Sequence, residues 1–266
     1  MHIHTTKSDG ILTPEQVVAW SHKIGLRGIA ITDHDTIDGI EEGISASKGL
    51  KEFILIPGIE FSSLHKDQEI HILGYFIDNR NSQLISITNK IKEYRDTRAT
   101  KTIEALKELN IEIDMEGVNP GGKKKSIGRP HIARALMEKG YVKSVQEAFE
   151  KYLSKGRPAY VSRFKFSLID TIETIKNAKG IAVLAHPGLL DKSVNLLEIL
   201  DLGLEGIEVY HTDHSKEDSL KYWRLAQERE LLVTGGTDYH DAFDGKIPSI
   251  GKITVPLEYL QKYLSF

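Results

Sequence analysis

The chain has 266 residues, with 35 Lys+Arg against 38 Asp+Glu, 11 His and no Cys. The lack of Cys excludes a disulfide scaffold, thiolate-held zinc and thiol catalysis, and no run approaches the ~20 apolar residues of a membrane helix. The 40% apolar fraction with mixed charge is that of an ordinary globular chain, and with no signal peptide at the start the cytoplasm is the expected address.

Charge is unevenly spread. Residues 117–165 hold 12 Lys/Arg and 3 Glu, so a basic arm lies within a chain whose net charge is -3. Such an arm suits an anionic ligand beside an acidic core, with a solvated basic surface as the bland alternative. Short β-branched runs alternate with amphipathic stretches, which predicts a βα protein with a parallel sheet. The predicted strands are Met1–Thr5, Gly28–Asp33, Phe53–Glu60, Ile70–Ile77, Ile181–His186, Gly206–His211, Leu231–Thr234 and Lys252–Val255. The first helix opens with Thr13 as N-cap, Pro14 at its first position and Gln16 completing a capping box. Val17, Trp20 and Ile24 follow helical spacing toward a core, and Gly25 ends the helix.

The alternation breaks between about residues 80 and 166. A long helix is predicted over Leu84–Leu109, with Ile87, Ile91, Tyr94, Ile103 and Leu106 as buried positions. Asn119-Pro120-Gly121-Gly122 interrupts any regular element. Two shorter helices follow: Pro130–Lys139, stopped at Gly140, and Ser144–Ser154, opened by the Ser144/Glu147 capping box and stopped at Gly156. The expected organisation is a barrel formed by residues 1–80 and 166–266, with a helical insertion over 81–165 that coincides with the basic segment.

His, Asp and Glu residues gather at predicted strand ends. His2 and His4 share one strand face, Asp33-His34 and Glu60 end two strands, and His186 ends another. Asp238 and His240 lie just beyond Leu231–Thr234. In a parallel βα barrel these ends converge on one mouth, and such a set of imidazoles and carboxylates predicts a metal site for more than one ion. Asp35 is read as the cap of a helix opening near Thr36, and His22 and His65 as solvated. His211 and His214 are open to a ligand or substrate role.

The stretches His2-Ile3-His4-Thr5 with Ser8-Asp9-Gly10, Thr32-Asp33-His34-Asp35-Thr36, Pro57-Gly58-Ile59-Glu60, Ala185-His186-Pro187-Gly188 and Gly236-Thr237-Asp238-Tyr239-His240 resemble the PHP family, named for polymerase and histidinol phosphatase members. The insertion, with Gly128-Arg129-Pro130-His131, is similar to that of stand-alone phosphoesterases of the family. The resemblance implies a distorted seven-stranded (β/α) barrel, in which Lys252–Val255 is not a full strand, and a trinuclear site. It implies His2, His4, Glu60 and Asp238 around a first metal, Glu60 shared with His71 and His186 around a second, and Asp9, His34 and His240 around a third. His71 enters through the resemblance alone. One departure is that a single residue, Met1, precedes His2 where family members carry an apolar opening strand.

A ligand set of imidazole and carboxylate without thiolate suits two to three divalent ions, Mn²⁺, Fe²⁺ or Zn²⁺. The expected reaction is phosphate-ester hydrolysis by a metal-bridging hydroxide with no protein nucleophile. Arg129 and His131 are the expected phosphate anchors, with Arg157 and Lys123-Lys124-Lys125 as second choices. The implied activity is removal of the 3′-phosphate from nucleoside 3′,5′-bisphosphates, extending to 5′-to-3′ trimming of short oligonucleotides. The expected partners are small phosphorylated nucleotides or short oligonucleotides, with no membrane and no stable protein partner. Histidinol-phosphate phosphatase is the alternative within the family. A non-haem iron oxidoreductase and a metal-free binding module are the alternatives outside it.

Overall fold

The computed structural model describes residues 1–122, 127–162, 164, 166–240, 242–243 and 247–264. Helix α1 (Pro14–Lys23) opens as its sequence dictates: Thr13 Oγ1 accepts from Gln16 N, and Gln16 Oε1 accepts from Thr13 N. Val17 and Val18 bury fully and Trp20 packs partly against the same cluster. Ile24 is the C-cap and is exposed, because the chain turns away from the helix axis at Gly25, with φ 81°.

The main sheet has six strands in the order β1 (Gly28–Ile31), β2 (Ile54–His65), β3 (Gln68–Tyr75), β4 (Ile181–Leu184), β5 (Gly206–His211) and β6 (Leu232–Gly236). It is mixed, not parallel throughout. β1/β2, β4/β5 and β5/β6 run parallel, whereas β3 is antiparallel to both of its neighbours. The cause is the two-residue turn between β2 and β3, where Lys66 and Asp67 adopt φ of 48° and 63°. Two consecutive left-handed residues make a tight hairpin, which leaves no chain for the crossover a parallel pair needs.

The predicted first strand is reduced to a bridge. Ile3 pairs with Tyr239, gives its carbonyl to Thr32 N at 2.9 Å and donates its N–H to Thr32 Oγ1 at 3.0 Å. The Thr32 hydroxyl thus takes the place of a ladder partner, and the sheet is a six-stranded half-barrel with residues 1–5 lying across its open side. Lys252–Val255 is irregular: Gly251 turns the chain at φ 91° and Pro256 follows, so no ladder begins among these residues. A short hairpin, β7 (Ala242–Phe243) with β8 (Ile247–Pro248), stands apart from the main sheet.

Helix α2 (Ile40–Ser47) follows Gly39 without a side-chain cap. Asp35 is not its cap. Instead it accepts from Ser62 N at 2.9 Å and pairs with Arg95. Helix α3 (Ser82–Glu108) is capped by Asn81, whose side chain accepts from Leu84 N. Its first half buries Leu84 and Ile91 in the main core, and its second half buries Ile103 and Leu106 in a separate cluster. Tyr94 is exposed and lies against Phe164, while Ile87 is half-buried.

Beyond α4 (Met115–Val118), helix α5 (Arg129–Glu138) places Ile132 and Leu136 in that second cluster. Helix α6 (Val145–Ala148), capped by Ser144, passes into a π turn at Phe149–Leu153 instead of running on as one α-helix to Ser154. Helices α7 (Leu168–Asn177), α8 (Leu196–Leu200) and α9 (Lys216–Glu228) return the chain to the sheet, with α7 buried through Ile172 and Ile175. Among the described residues, no helix is long and apolar enough to cross a membrane.

The end of β6 lies directly on the start of the chain. A Cβ at Gly236 would meet His2 N at 2.3 Å and His2 Cβ at 2.5 Å. Gly236→Ala is therefore expected to displace His2 and destabilise by about 1–3 kcal/mol. Thermal unfolding should show this as a loss of roughly 2–10 °C in Tm.

Candidate metal centre

Glu60 sits inside β2 with no exposed surface, and five imidazoles converge on its carboxylate. His2 Nε2 lies 3.2 Å, His4 Nε2 3.1 Å and His34 Nδ1 3.1 Å from Oε2. His71 Nδ1 lies 3.0 Å and His186 Nε2 3.2 Å from Oε1. These rings come from the opening segment, the end of β1, the middle of β3 and the end of β4. A second carboxylate, Asp238, stands 3.2 Å from His2 Nε2 and 3.0 Å from His4 Nε2 through Oδ1. Asp9 Oδ1 lies 3.2 Å from His240 Nε2 and 3.6 Å from His4 Nδ1.

Asp9 is held in a loop that Asp33 organises. The Asp33 carboxylate accepts from Thr5 N at 2.7 Å, Thr5 Oγ1 at 2.7 Å and Ser8 Oγ at 2.6 Å. Asp33 is therefore a loop clamp. His186 and Asp238 adopt φ of 25° and 47°, a region uncommon for residues with a Cβ, which marks both as held by their surroundings.

The donor atoms fall into groups whose members lie within 4.8 Å of one another: His2, His4, Glu60 and Asp238; His4, Asp9, His34 and His240; and His34, Glu60 and His71. Buried atoms at this focus lack hydrogen-bond partners of acceptable geometry, including His2 Nε2, His4 Nε2, His34 Nδ1, Glu60 Oε2, Asp9 Oδ1 and Asp238 Oδ1. Buried polar atoms are seldom left unmet. Lone pairs that face each other at about 3 Å without hydrogen-bond geometry are what divalent cations satisfy. The residues therefore fit metal ions.

Without metal, protons compensate the buried carboxylates. Burial opposes protonation of His2, but Asp238, Glu208 and Glu60 together raise its pKa well above the usual range. Against the same desolvation, Asp238 and Glu60 push His4 up to about 10, and Glu60 and Glu69 push His71 up to about 10. His34 moves the other way, to about 3, because burial and the neighbouring His4 and His71 outweigh Glu60 and Asp9. Although burial favours their neutral forms, Glu60, Asp9 and Asp238 are held well below the carboxylate range by the surrounding imidazoles.

All nine residues of the expected ligand set thus meet at one place, while the expected phosphate anchors divide. Arg129, at the start of α5, is nearly buried, lies 3.7 Å from Glu69 Oε2, and sits 5.9 Å from the Phe149 ring and 5.7 Å from the Tyr160 ring. Burial lowers its pKa, and Arg95 adds to the effect. Glu69 also bonds His71 Nε2 at 2.8 Å, so Arg129 is joined to the centre through two side chains. His131 is a buried capping residue whose Nδ1 accepts from Gly128 N at 2.9 Å, which leaves the proton of the neutral ring on Nε2. Arg157 lies exposed on the turn after the π segment. Lys123, Lys124 and Lys125 lie outside the described residues.

Glu208, Glu69 and Arg95 were not legible as site residues. Glu208 gave the clearest signal, a carboxylate inside the apolar run Gly206-Ile207-Glu208-Val209. His211 is buried, with Nε2 3.8 Å from Asp238 Oδ2. His214 is structural: its ring bonds Val209 O at 2.9 Å and Gly188 N at 3.1 Å. His65 is not free in solvent, since it pairs with Glu198 at 3.2 Å, whereas His22 is exposed.

A curled mixed sheet whose strands gather six histidines and three carboxylates defines an α/β metal-centre scaffold. The chain belongs to the PHP domain family, whose model matches residues 1–160. It is 34% identical over 255 residues to the 3′,5′-nucleoside bisphosphate phosphatase of Chromobacterium violaceum, covering 92% of this chain and 88% of that protein. It is also 34% identical over 248 residues to the 5′-3′ exoribonuclease Rnm of Escherichia coli, covering 90% of this chain and 84% of the relative. Among solved structures, a protein of Bifidobacterium adolescentis assigned as a metal-dependent phosphoesterase superposes with a TM-score of 0.85 at 31% identity, over 98% of this chain and 93% of the other.

The raised pKa values set a direction for metal uptake. Below about 10, His4 and His71 carry protons that an incoming cation must displace. Adding Mn²⁺ to metal-stripped protein at pH 7 is expected to release protons, and apparent affinity should weaken steadily from pH 8 to pH 6. A Mn²⁺ titration at three pH values with a pH-stat checks both. Glu60→Gln should abolish uptake of at least one ion, because the ligand shared between the groups loses its charge.

Proposed function

We propose that the chain is a metal-dependent phosphoesterase that removes the 3′-phosphate from nucleoside 3′,5′-bisphosphates and trims short oligonucleotides from the 5′ end. The observation that carries the reading is the Glu60 cluster of unpartnered ligand atoms with the nearly buried Arg129 two side chains away. The relatives named above act on substrates of these kinds, which supports it. In this reading His2, His4, Glu60 and Asp238 hold one ion, Glu60, His71 and His186 a second, and Asp9, His34 and His240 a third. His34 is also close enough to Glu60 and His71 to share the second. Divalent ions bound there supply Lewis acidity toward the phosphoryl group and lower the pKa of water near neutral pH.

The chain's own residues do the positioning. Residues 1–80 and 166–266 supply every ligand, and residues 81–165 bring Arg129 over the centre. The Arg129 guanidinium, near the Phe149 and Tyr160 rings and with Nη1 bonded to Leu153 O, offers its remaining N–H groups to a 5′-phosphate in place of Glu69. A substrate fixed there by its 5′ end presents its 3′ side to the carboxylate-rich centre. His131 keeps the turn before α5 closed by accepting from Gly128 N, which fixes where Arg129 starts.

The competing readings lack such support. Apart from the phosphate to be cleaved, histidinol phosphate carries only an ammonium and an imidazole, so it offers the basic segment no second anion to hold. One open iron site needs about three ligands, fewer than gather here, and a metal-free module would not orphan this many buried donors.

The deciding experiment follows phosphate release by metal-stripped protein, with and without Mn²⁺. Its substrates are a nucleoside 3′,5′-bisphosphate, the matching 3′- and 5′-monophosphates, and histidinol phosphate. Selective Mn²⁺-dependent loss of the 3′-phosphate from the bisphosphate is expected, and equal turnover of histidinol phosphate would overturn the assignment. Arg129→Ala removes a charged hydrogen bond of about 1.5–3 kcal/mol, so KM for the bisphosphate should rise roughly 10–100-fold. KM for the 3′-monophosphate, which has no 5′-phosphate to hold, should scarcely change.

A further inference from the structure

His2 has two ring nitrogens, and only one faces the cluster. Nε2 lies 3.2 Å from both Glu60 Oε2 and Asp238 Oδ1, whereas Nδ1 faces away toward Glu208, 3.2 Å from each of its oxygens. Glu208 is completely buried within β5. Its Oε2 also accepts the backbone N–H of His186 at 2.9 Å, at the residue whose φ of 25° is otherwise unfavourable. His2, Glu208 and His211 are close enough to resemble a further metal site. The hydrogen bonding argues otherwise. Glu60 Oε2, Asp9 Oδ1 and Asp238 Oδ1 are left without partners, but both Glu208 oxygens are matched by protein N–H groups.

We infer that Glu208 is a positioning residue for the metal centre, an inference that rests on the metal-dependent reading above. By taking the Nδ1–H of His2 it fixes the tautomer that leaves the Nε2 lone pair pointing at Glu60 and Asp238. By taking the His186 N–H with its other oxygen it sets the peptide that carries a second candidate ligand. One carboxylate on β5 thereby aligns ligands from the opening segment and from the end of β4, and these belong to different ion groups.

Glu208→Gln keeps the volume but replaces one acceptor with an NH₂ donor. Glutamine must therefore either oppose one of the two N–H groups or serve both from a single neutral oxygen, and either weakens the hold on His2. The expected result is a folded variant, by circular dichroism, whose Mn²⁺ affinity falls about 10–100-fold. The second readout is ¹⁵N NMR of the histidine rings in protein loaded with diamagnetic Zn²⁺. The wild type should show His2 protonated at Nδ1 and shifted by metal at Nε2, and in the variant that Nδ1–H signal should be lost or clearly shifted. A folded variant that binds Mn²⁺ as tightly as the wild type would overturn the inference, as would wild-type His2 bound through Nδ1. If the variant does not fold, the wild-type spectrum alone decides. Wild-type protein that takes up no Zn²⁺ at all would overturn the metal reading itself, which distinguishes that failure from the failure of Glu208's role.

Discussion

Glu60 is a full carboxylate charge with no exposed surface, and its two oxygens are met by five imidazole nitrogens at 3.0–3.2 Å. An ion buried this deeply persists only if its surroundings return what water would have supplied. The segments that deliver those imidazoles are therefore fixed relative to β2 more tightly than apolar packing alone would require. The thin contact at the start of the chain is an example. Residues 1–5 have almost no ladder of their own, yet His2 and His4 are both fully buried because Glu60 and Asp238 hold them.

The rest of the architecture divides work around that carboxylate. The half-barrel supplies acceptors and imidazoles in a dry interior, and α3 ties it to a second apolar cluster that carries the positive charge. The chain Arg129–Glu69–His71–Glu60 connects the two parts through side chains alone. On the proposed reading, an anion arriving at Arg129 would compete with Glu69, and Glu69 in turn bears on His71. The substrate end and the metal end of the site are, on that reading, linked in series.

Much of the centre was legible because strand ends are legible. His34, His186 and Asp238 lie just past strands, and His2 with His4 share a face by simple alternation. Glu60, expected to end its strand, instead lies inside β2, which pairing with β3 carries on to His65. His71 could not be found that way, and the reason is physical. β3 runs antiparallel, so its first half approaches the mouth, opposite to what a parallel sheet presents. The reversal was itself hard to read because Lys66 and Asp67 adopt left-handed φ without the glycine that usually announces such a turn. Asp9 lies in a loop and has no periodicity to betray it. The Asp35–Arg95 pair joins residues 60 positions apart, a contact no local pattern encodes. The first and last predicted strands failed for a shared reason: β-branched composition marks residues that can pair, but it does not supply a partner edge.

The order in which these ligands occur along the chain has a consequence for how the protein is made. The ligand group around Glu60 draws on His2 at one extreme and Asp238 at the other. As the chain emerges from the ribosome, Asp9, His34, Glu60 and His71 follow His2 and His4 within about 70 residues, but Asp238, which completes the group of His2, His4 and Glu60, comes more than 170 residues after Glu60. Until Asp238 is in place, the group of His2, His4 and Glu60 lacks its second carboxylate. On the metal-dependent reading, cation capture would become tight when the segment beyond β6 docks on Ile3. In a chain with no cysteine to cross-link it, ions bound there would clasp the segment of Ile3 to the segment beyond β6.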